Sequence, residues 1–190
     1  MEIKFLRPAK AESPLVSTRN NDRSGKSYNV AIIGPIGTPD KYLNLANLLL
    51  NASENDDVVI RLASNGGYVC SGEYILAAMA RCKARIRTHI ESHAYSIAAV
   101  IWAYGDERTM GRLSRGMFHA TSHGDIGRTT DIKERADVIT KGFVELLTDI
   151  KERGIMSQEM YDDVVNKKRD VYFTKAMMSK LDNALTSGRE

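Results

Sequence analysis

The chain has almost no cysteine. Two thiols, Cys70 and Cys82, among 190 residues cannot make a disulfide framework, and no nearby Cys/His spacing reads as a zinc site. That composition points to a reducing, cytoplasmic location and to no metal or other cofactor. Charge of one sign is also scarce. Lys and Arg number 27 against 24 Asp and Glu, a net +3, too little to argue for a nucleic-acid partner. No apolar run approaches the roughly 20 residues of a membrane span. The N-terminus, MEIKFLRPAK, has no apolar h-region, so neither a secretory signal nor a membrane partner is expected. Internal repeats and low-complexity segments are missing. What remains is ordinary for a soluble globular chain, 43% hydrophobic and 27% charged, and long enough to bury one core.

One stretch organises the rest: Ile86 to Trp102, reading IRTHIESHAYSIAAVIW. Its first half alternates, with Ile86, Thr88 and Ile90 on one side and Arg87, His89 and Glu91 on the other. That is strand periodicity. From Ile97 to Trp102 every residue is small or apolar, which suits a helix buried on all sides. Between them, Ser92-His93-Ala94-Tyr95 reads as a sharp turn, and Ser96 falls where strand gives way to helix. The first N–H groups of a helix lack partners and carry partial positive charge. A hydroxyl there can be a nucleophile, with the Ile97 N–H beside it to receive an oxyanion. Equally, Ser96 can simply cap the helix.

The remaining segments fall into order around that stretch. Residues 1–27 are polar, with Pro8, Pro14 and Asn20-Asn21-Asp22-Arg23-Ser24-Gly25, and read as an arm or loop. Residues 28–190 read as a single domain. Tyr28–Ile36 is a short strand, Pro39–Asn51 a helix with a broad leucine face, and Asp56–Ala63 a strand. Ser64-Asn65-Gly66-Gly67 then precedes a helix from about Cys70 to Ala80. A glycine pair after a strand lets backbone N–H groups approach a ligand, though most such pairs only make a turn. The alternation of strand and helix argues for an α/β fold with mainly parallel pairing.

After Trp102, Gly105–Leu113 reads as a loop and short strand, and Arg115–Thr121 as a strand with Met117, His119 and Thr121 on one face. Ser122–Thr130 is a polar loop. Asp131–Arg153 is a long amphipathic helix with the stripe Ile132, Ala136, Ile139, Phe143, Leu146 and Ile150, opened by a capping-box pair, Asp131 and Glu134. A helix this long in a small domain can also project and pack against another subunit. Ser157 caps a shorter helix, Asn166–Tyr172 is a charged link into an extended segment, Thr174 starts a last helix, and Leu181–Glu190 is a polar tail.

Five short motifs carry a resemblance. SNGG at 64–67 resembles the SPGG of the ClpP family of self-compartmentalising serine peptidases. HAYS at 93–96 is similar to the end of that family's GQAAS, and MFHA at 117–120 to its MIHQP. TTDIKERA at 129–136 is similar to ATDIEIHA, and KRDVYFTKA at 168–176 to ERDRFLSAPEA. They fall in the family's order, with the Gly67-to-Ser96 spacing kept, across Tyr28 to Leu181. The resemblance implies an α/β fold of repeated ββα units, shared by ClpP and crotonase-like proteins, with a projecting long helix. It implies Ser96 as nucleophile, His119 as general base, Asp170 as the group orienting His119, and the N–H groups of Gly67 and Ile97 as the oxyanion hole. Those types fit the chemistry: an imidazole must take the serine proton, a carboxylate must fix the imidazole, and preorganised donors must meet the oxyanion. Read without the resemblance, His119 is a half-buried structural histidine and Asp170 a solvated ion-pair partner in the run Lys167-Lys168-Arg169. His93 and His123 are rival bases.

The function implied is a serine endopeptidase acting on unfolded or short polypeptides inside a chamber of two stacked heptameric rings. Two alternatives stand beside it: a ring or assembly subunit without activity, and a crotonase-type acyl-CoA enzyme. The Ser…His…Asp set counts against the last. This sequence departs from the family at Asn65 in place of a proline, at Tyr95 in place of a small residue, and at Ala120-Thr121 in place of Gln-Pro. Arg61 and Arg81 stand where the family has aromatic residues that dock an AAA+ unfoldase's hydrophobic loop. Guanidinium groups do not suit an apolar anchor, so coupling to a ClpX- or ClpA-type partner through that pocket is not expected. Such divergence suits a phage-encoded homologue.

Overall fold

The computed structural model describes residues 12–120 and 129–187. A seven-stranded mixed sheet carries helices on its core face. The strands are β1 (Leu15–Asn20), β2 (Lys26–Ile33), β3 (Asp57–Ser64), β4 (Arg85–Tyr95), β5 (Glu107–Met110), β6 (Arg115–Phe118) and β7 (Val171–Thr174). They lie in the order β1-β2-β3-β4-β6-β7, with β5 also on β4. β2, β3, β4, β5 and β6 pair in parallel; the outermost pairs, β1 with β2 and β6 with β7, are antiparallel. The helices are α1 (Leu43–Asn51), after a 3-10 turn at Pro39–Tyr42, then α2 (Val69–Ala80), α3 (Ile97–Ala103), α4 (Thr129–Glu152), α5 (Gln158–Val165) and α6 (Lys175–Ser187). This is the α/β architecture expected.

Alternation in the strands fixes which side is core. Val30 and Ile32, Val58, Ile60 and Leu62, and Ile86, Thr88 and Ile90 all face inward and are buried. They pack under Leu45 and Leu49 of α1, Ile75 of α2 and the whole of α3, every residue of which is buried. Each such aliphatic side chain contributes on the order of 2 kcal/mol by leaving water. Phe173 of β7 joins the same core, stacked on Phe118 at 4.9 Å and on Trp102 at 5.3 Å.

Three expectations need correction. First, Ser92–Tyr95 is strand and not a sharp turn. β3 and β4 slip out of register between Leu62 and Ser64: Leu62 pairs with Ile90, but Ser64 with Ala94. Two extra residues on β4 make a bulge that bends the strand, and β6 then supplies a new partner for His93–Tyr95. Nothing in the local sequence reveals that partner. Second, the polar N-terminal segment contains a strand, β1, and the Asn20–Gly25 cluster is a built turn. Asn21 Oδ1 accepts from the N–H groups of Arg23 and Gly25, both at 2.9 Å, and its amide donates to Asn55 O at 2.7 Å. Beside it the buried Asp56 carboxylate accepts from Lys26 N (2.6 Å), Ser53 N (2.8 Å) and Ser53 Oγ (2.9 Å). Those donors hold its pKa below the usual carboxylate range. Third, α6 continues helical to Ser187 where a polar tail is expected.

The long helix α4 buries Phe143, Leu147 and Ile150, so the inward register runs through Leu147, with Leu146 at its flank. Toward its N-terminal half Val138 and Ile139 stay exposed, at 70% and 38%. Its C-terminal end is clamped to α3: the Arg153 guanidinium lies 4.4 Å from the Tyr104 ring, and burial together with the neighbouring Asp149 carboxylate pushes the Tyr104 phenol well up. Among the described residues no helix is long and apolar enough to cross a membrane.

Candidate active site

Ser96 alone makes the joint between β4 and α3. Its backbone sits at φ 58, ψ −132, a region that non-glycine residues rarely enter, at a cost of about 1–3 kcal/mol. Hydrogen bonds hold it there. Its N–H donates to Met117 O at 2.9 Å, and its carbonyl accepts from Ala99 N at 2.9 Å and Val100 N at 3.2 Å. The hydroxyl makes no cap. A capping serine takes extended dihedrals and accepts from the first turn; Ser96 does neither, so the cap reading fails.

The glycine pair lies directly against this joint. Gly66 (φ 88) and Gly67 (φ 154) are both in the region that favours glycine. A Cβ on Gly66 would stand 2.7 Å from Ser96 Cβ, and one on Gly67 2.1 Å from Ile36 O. Ile36 clamps the pair by donating its N–H to Gly66 O (2.8 Å) and accepting from Tyr68 N (3.0 Å). Gly66 N donates to Ser64 Oγ at 3.0 Å. Among the described residues the Gly67 N–H has no backbone acceptor, nor does the Ile97 N–H at the first position of α3.

The strand registers bring the other two candidates to the same corner. Tyr95 pairs with Met117 on β6, and Phe118 pairs with Val171 on β7. His119 and Asp170 each lie one residue beyond that last pair, just outside the two strands. Among the described residues, however, no hydrogen bond joins the side chains of Ser96, His119 and Asp170. Asp170 does not serve the basic run around it either: Lys167 reaches Asp163 at 2.7 Å and Arg169 reaches it at 3.8 Å. Lys167, four residues after Asp163 on the α5 end, is a pairing the helical spacing could have announced. Those cations hold the Asp163 carboxylate pKa down. Of the rival bases, His93 is half-buried on β4 with Nδ1 at 2.9 Å from Ser92 Oγ. His123 lies outside the described residues.

A family model described as Clp protease matches residues 22–180. The chain belongs to the Clp protease family. Among curated relatives, the "ATP-dependent Clp protease proteolytic subunit" of Borreliella afzelii (strain PKo) is 29% identical over 165 residues, covering 82% of each chain. Against the Clp-family pattern, the position of Arg61 is informative. Its guanidinium pairs with the Glu91 carboxylate, and both border a cavity of about 490 Å³ walled by Leu15, Val16 and Ile33. Arg81 is exposed at the end of α2. A smaller apolar cleft lies between Ala120, Phe143, Leu147 and Val164. Tyr172, inside the KRDVYFTKA motif but given no role by it, packs on Tyr95 next to Ser96.

Proposed function

We propose that this Clp-family chain is a serine endopeptidase acting on unfolded or short polypeptides. The carrying observation is Ser96: strained at a strand–helix joint, without a cap bond, against a glycine pair. Ser96 Oγ attacks the peptide carbonyl while His119 takes its proton. The Gly67 and Ile97 N–H groups receive the oxyanion, and Asp170 orients and stabilises the imidazolium. His119 then gives the proton to the leaving amine, and water repeats the sequence on the acyl-enzyme.

The family resemblance supports a chamber of two heptameric rings in the cytoplasm. The exposed Val138 and Ile139 on α4 suit a face that meets another subunit. A second reading, a subunit that keeps the fold without activity, draws on the missing hydrogen bonds among Ser96, His119 and Asp170. Intact mass after treatment with a fluorophosphonate separates the two. One adduct per chain, absent from Ser96→Ala, is expected; an unmodified wild type would favour the inactive subunit.

The unfoldase contact is a separate matter. With Arg61 held by Glu91 in the cavity wall and Arg81 exposed, we propose no coupling through an apolar anchor at these positions. Degradation of a folded substrate is expected to stay at its basal rate when a ClpX- or ClpA-type unfoldase and ATP are added. A several-fold stimulation, abolished by a peptide of the unfoldase's hydrophobic loop, would contradict this.

A further inference from the structure

The Gly67 N–H has no backbone acceptor among the described residues, so its position depends on its neighbours in the chain. Both of these, Gly66 and Tyr68, are tied to Ile36: Ile36 N donates to Gly66 O at 2.8 Å, and Tyr68 N donates to Ile36 O at 3.0 Å. Asn65, directly before the glycine pair, brings no ring to fix its φ. The place of Gly67 therefore follows the place of Ile36.

Ile36 lies outside the strands. It follows β2, and an isolated bridge to Gly67 is its one sheet-like pairing among the described residues. The next residue is what anchors it. Gly37 N donates to Tyr42 Oη at 3.2 Å, and Gly37 O accepts from Ser71 Oγ at 2.6 Å. Tyr42 closes the 3-10 turn, Ser71 stands in the first turn of α2, and both are fully buried. Away from water, loss of either hydroxyl leaves a Gly37 backbone group unsatisfied. The next residue of α2 serves the other donor. A Cβ on Gly72 would stand 2.0 Å from Ile97 Cγ1, so α2 closes on α3 at its first residue. Ser71 and Gly72 thus set one helix against both the glycine loop and the Ser96 joint.

We propose that Tyr42 and Ser71 are positioning residues: their hydroxyls hold Gly37, and through Ile36 the glycine loop, so that the Gly67 N–H stands ready for the oxyanion. This rests on the peptidase reading of Ser96. A donor fixed in advance needs no reorganisation as charge develops on the attacked carbonyl. The uncharged carbonyl of the bound substrate draws far less on it, so a loosened loop costs kcat more than KM.

The test uses full-length protein, an unstructured peptide substrate and thermal unfolding. Tyr42→Phe and Ser71→Ala each delete one hydroxyl. Each is expected to lower kcat about 10-fold, less than the roughly 10²–10³-fold that follows loss of a whole donor, with KM within about two-fold of wild type. Thr88→Val is the matched control: Thr88 is equally buried, and its Oγ1 donates to Trp102 O at 2.7 Å, away from the glycine loop. It is expected to lower Tm and leave kcat unchanged. Added to Gly67→Ala, either hydroxyl variant is expected to lower kcat no further, because the donor is already displaced. Tyr42→Phe keeps the buried ring, so it carries the comparison if Ser71→Ala does not fold. Wild-type kcat in the hydroxyl variants, or a loss no larger than that of Thr88→Val, assigns Tyr42 and Ser71 to stability and overturns the brace while the peptidase reading stands. Losses that multiply with that of Gly67→Ala also overturn it. A wild type that hydrolyses no peptide and takes no fluorophosphonate adduct at Ser96 overturns the peptidase reading and the brace together.

Discussion

Ser96→Ala is expected to lower kcat for an unstructured peptide by about 10⁴-fold or more, the scale seen when a triad nucleophile is removed. Ser96→Gly should be just as inactive, yet the two variants should differ in stability. Alanine inherits the strained φ 58, ψ −132 backbone, whereas glycine enters that region freely. Relief of about 1–3 kcal/mol of strain, less about 0.5–1 kcal/mol of added unfolded-chain entropy, leaves Ser96→Gly more stable than Ser96→Ala by about 1 kcal/mol. For a chain of this size that is about 2–4 °C in Tm. A serine held only for capping would leave peptide hydrolysis intact in both variants and would make Ser96→Ala less stable than the wild type by about 0.5–2 kcal/mol. Peptide hydrolysis and thermal unfolding of the three proteins decide between these accounts.

The second large effect is expected at Gly67. Its hypothetical Cβ meets three backbone atoms of Ile36, the nearest 2.1 Å away, and none of these is a flexible side-chain tip that could move aside. With φ at 154, an alanine is strained even before the contact. The loop must shift, and the Ile36–Gly67 bridge must open. That displaces the Gly67 N–H, the donor proposed above for the oxyanion. Loss of one oxyanion donor lowers kcat by about 10²–10³-fold. Gly67→Ala should therefore fall at least that far in peptide hydrolysis and also unfold earlier. If its kcat matched the wild type, the Gly67 N–H could not be an oxyanion donor.

Much of this site is written in local sequence, and some is not. The alternation of Ile86, Thr88 and Ile90, followed by the unbroken apolar run from Ile97, places Ser96 at a joint without any structure. The Gly66-Gly67 pair announces a backbone that other residues cannot adopt. What local pattern does not carry is who pairs with whom. Ser92–Tyr95 looks like a turn because its residues are small and polar. It is strand because β6 lies beside it, and β6 is some twenty residues away. The nearness of His119, rather than His93, to the β6–β7 pair likewise depends on registers between β4, β6 and β7. Asp170 sits in a basic run that resembles solvated surface, and only the turn of Lys167 and Arg169 toward Asp163 sets it apart. The contact of Tyr172 with Tyr95 is hidden for the same reason: the two are distant in the chain.

The stacking of Trp102 on Phe173 has an optical consequence. Trp102 is the one tryptophan in the sequence, so all indole emission comes from a single, nearly inaccessible site. Its ring neighbour belongs to β7, three residues after Asp170. If that strand peels from β6, the indole loses its stacked partner and gains water, and its emission moves to the red. The chain thus carries an intrinsic fluorophore wired to the strand that directly follows Asp170. The docking of that strand can be timed in solution without attaching a dye or changing a residue.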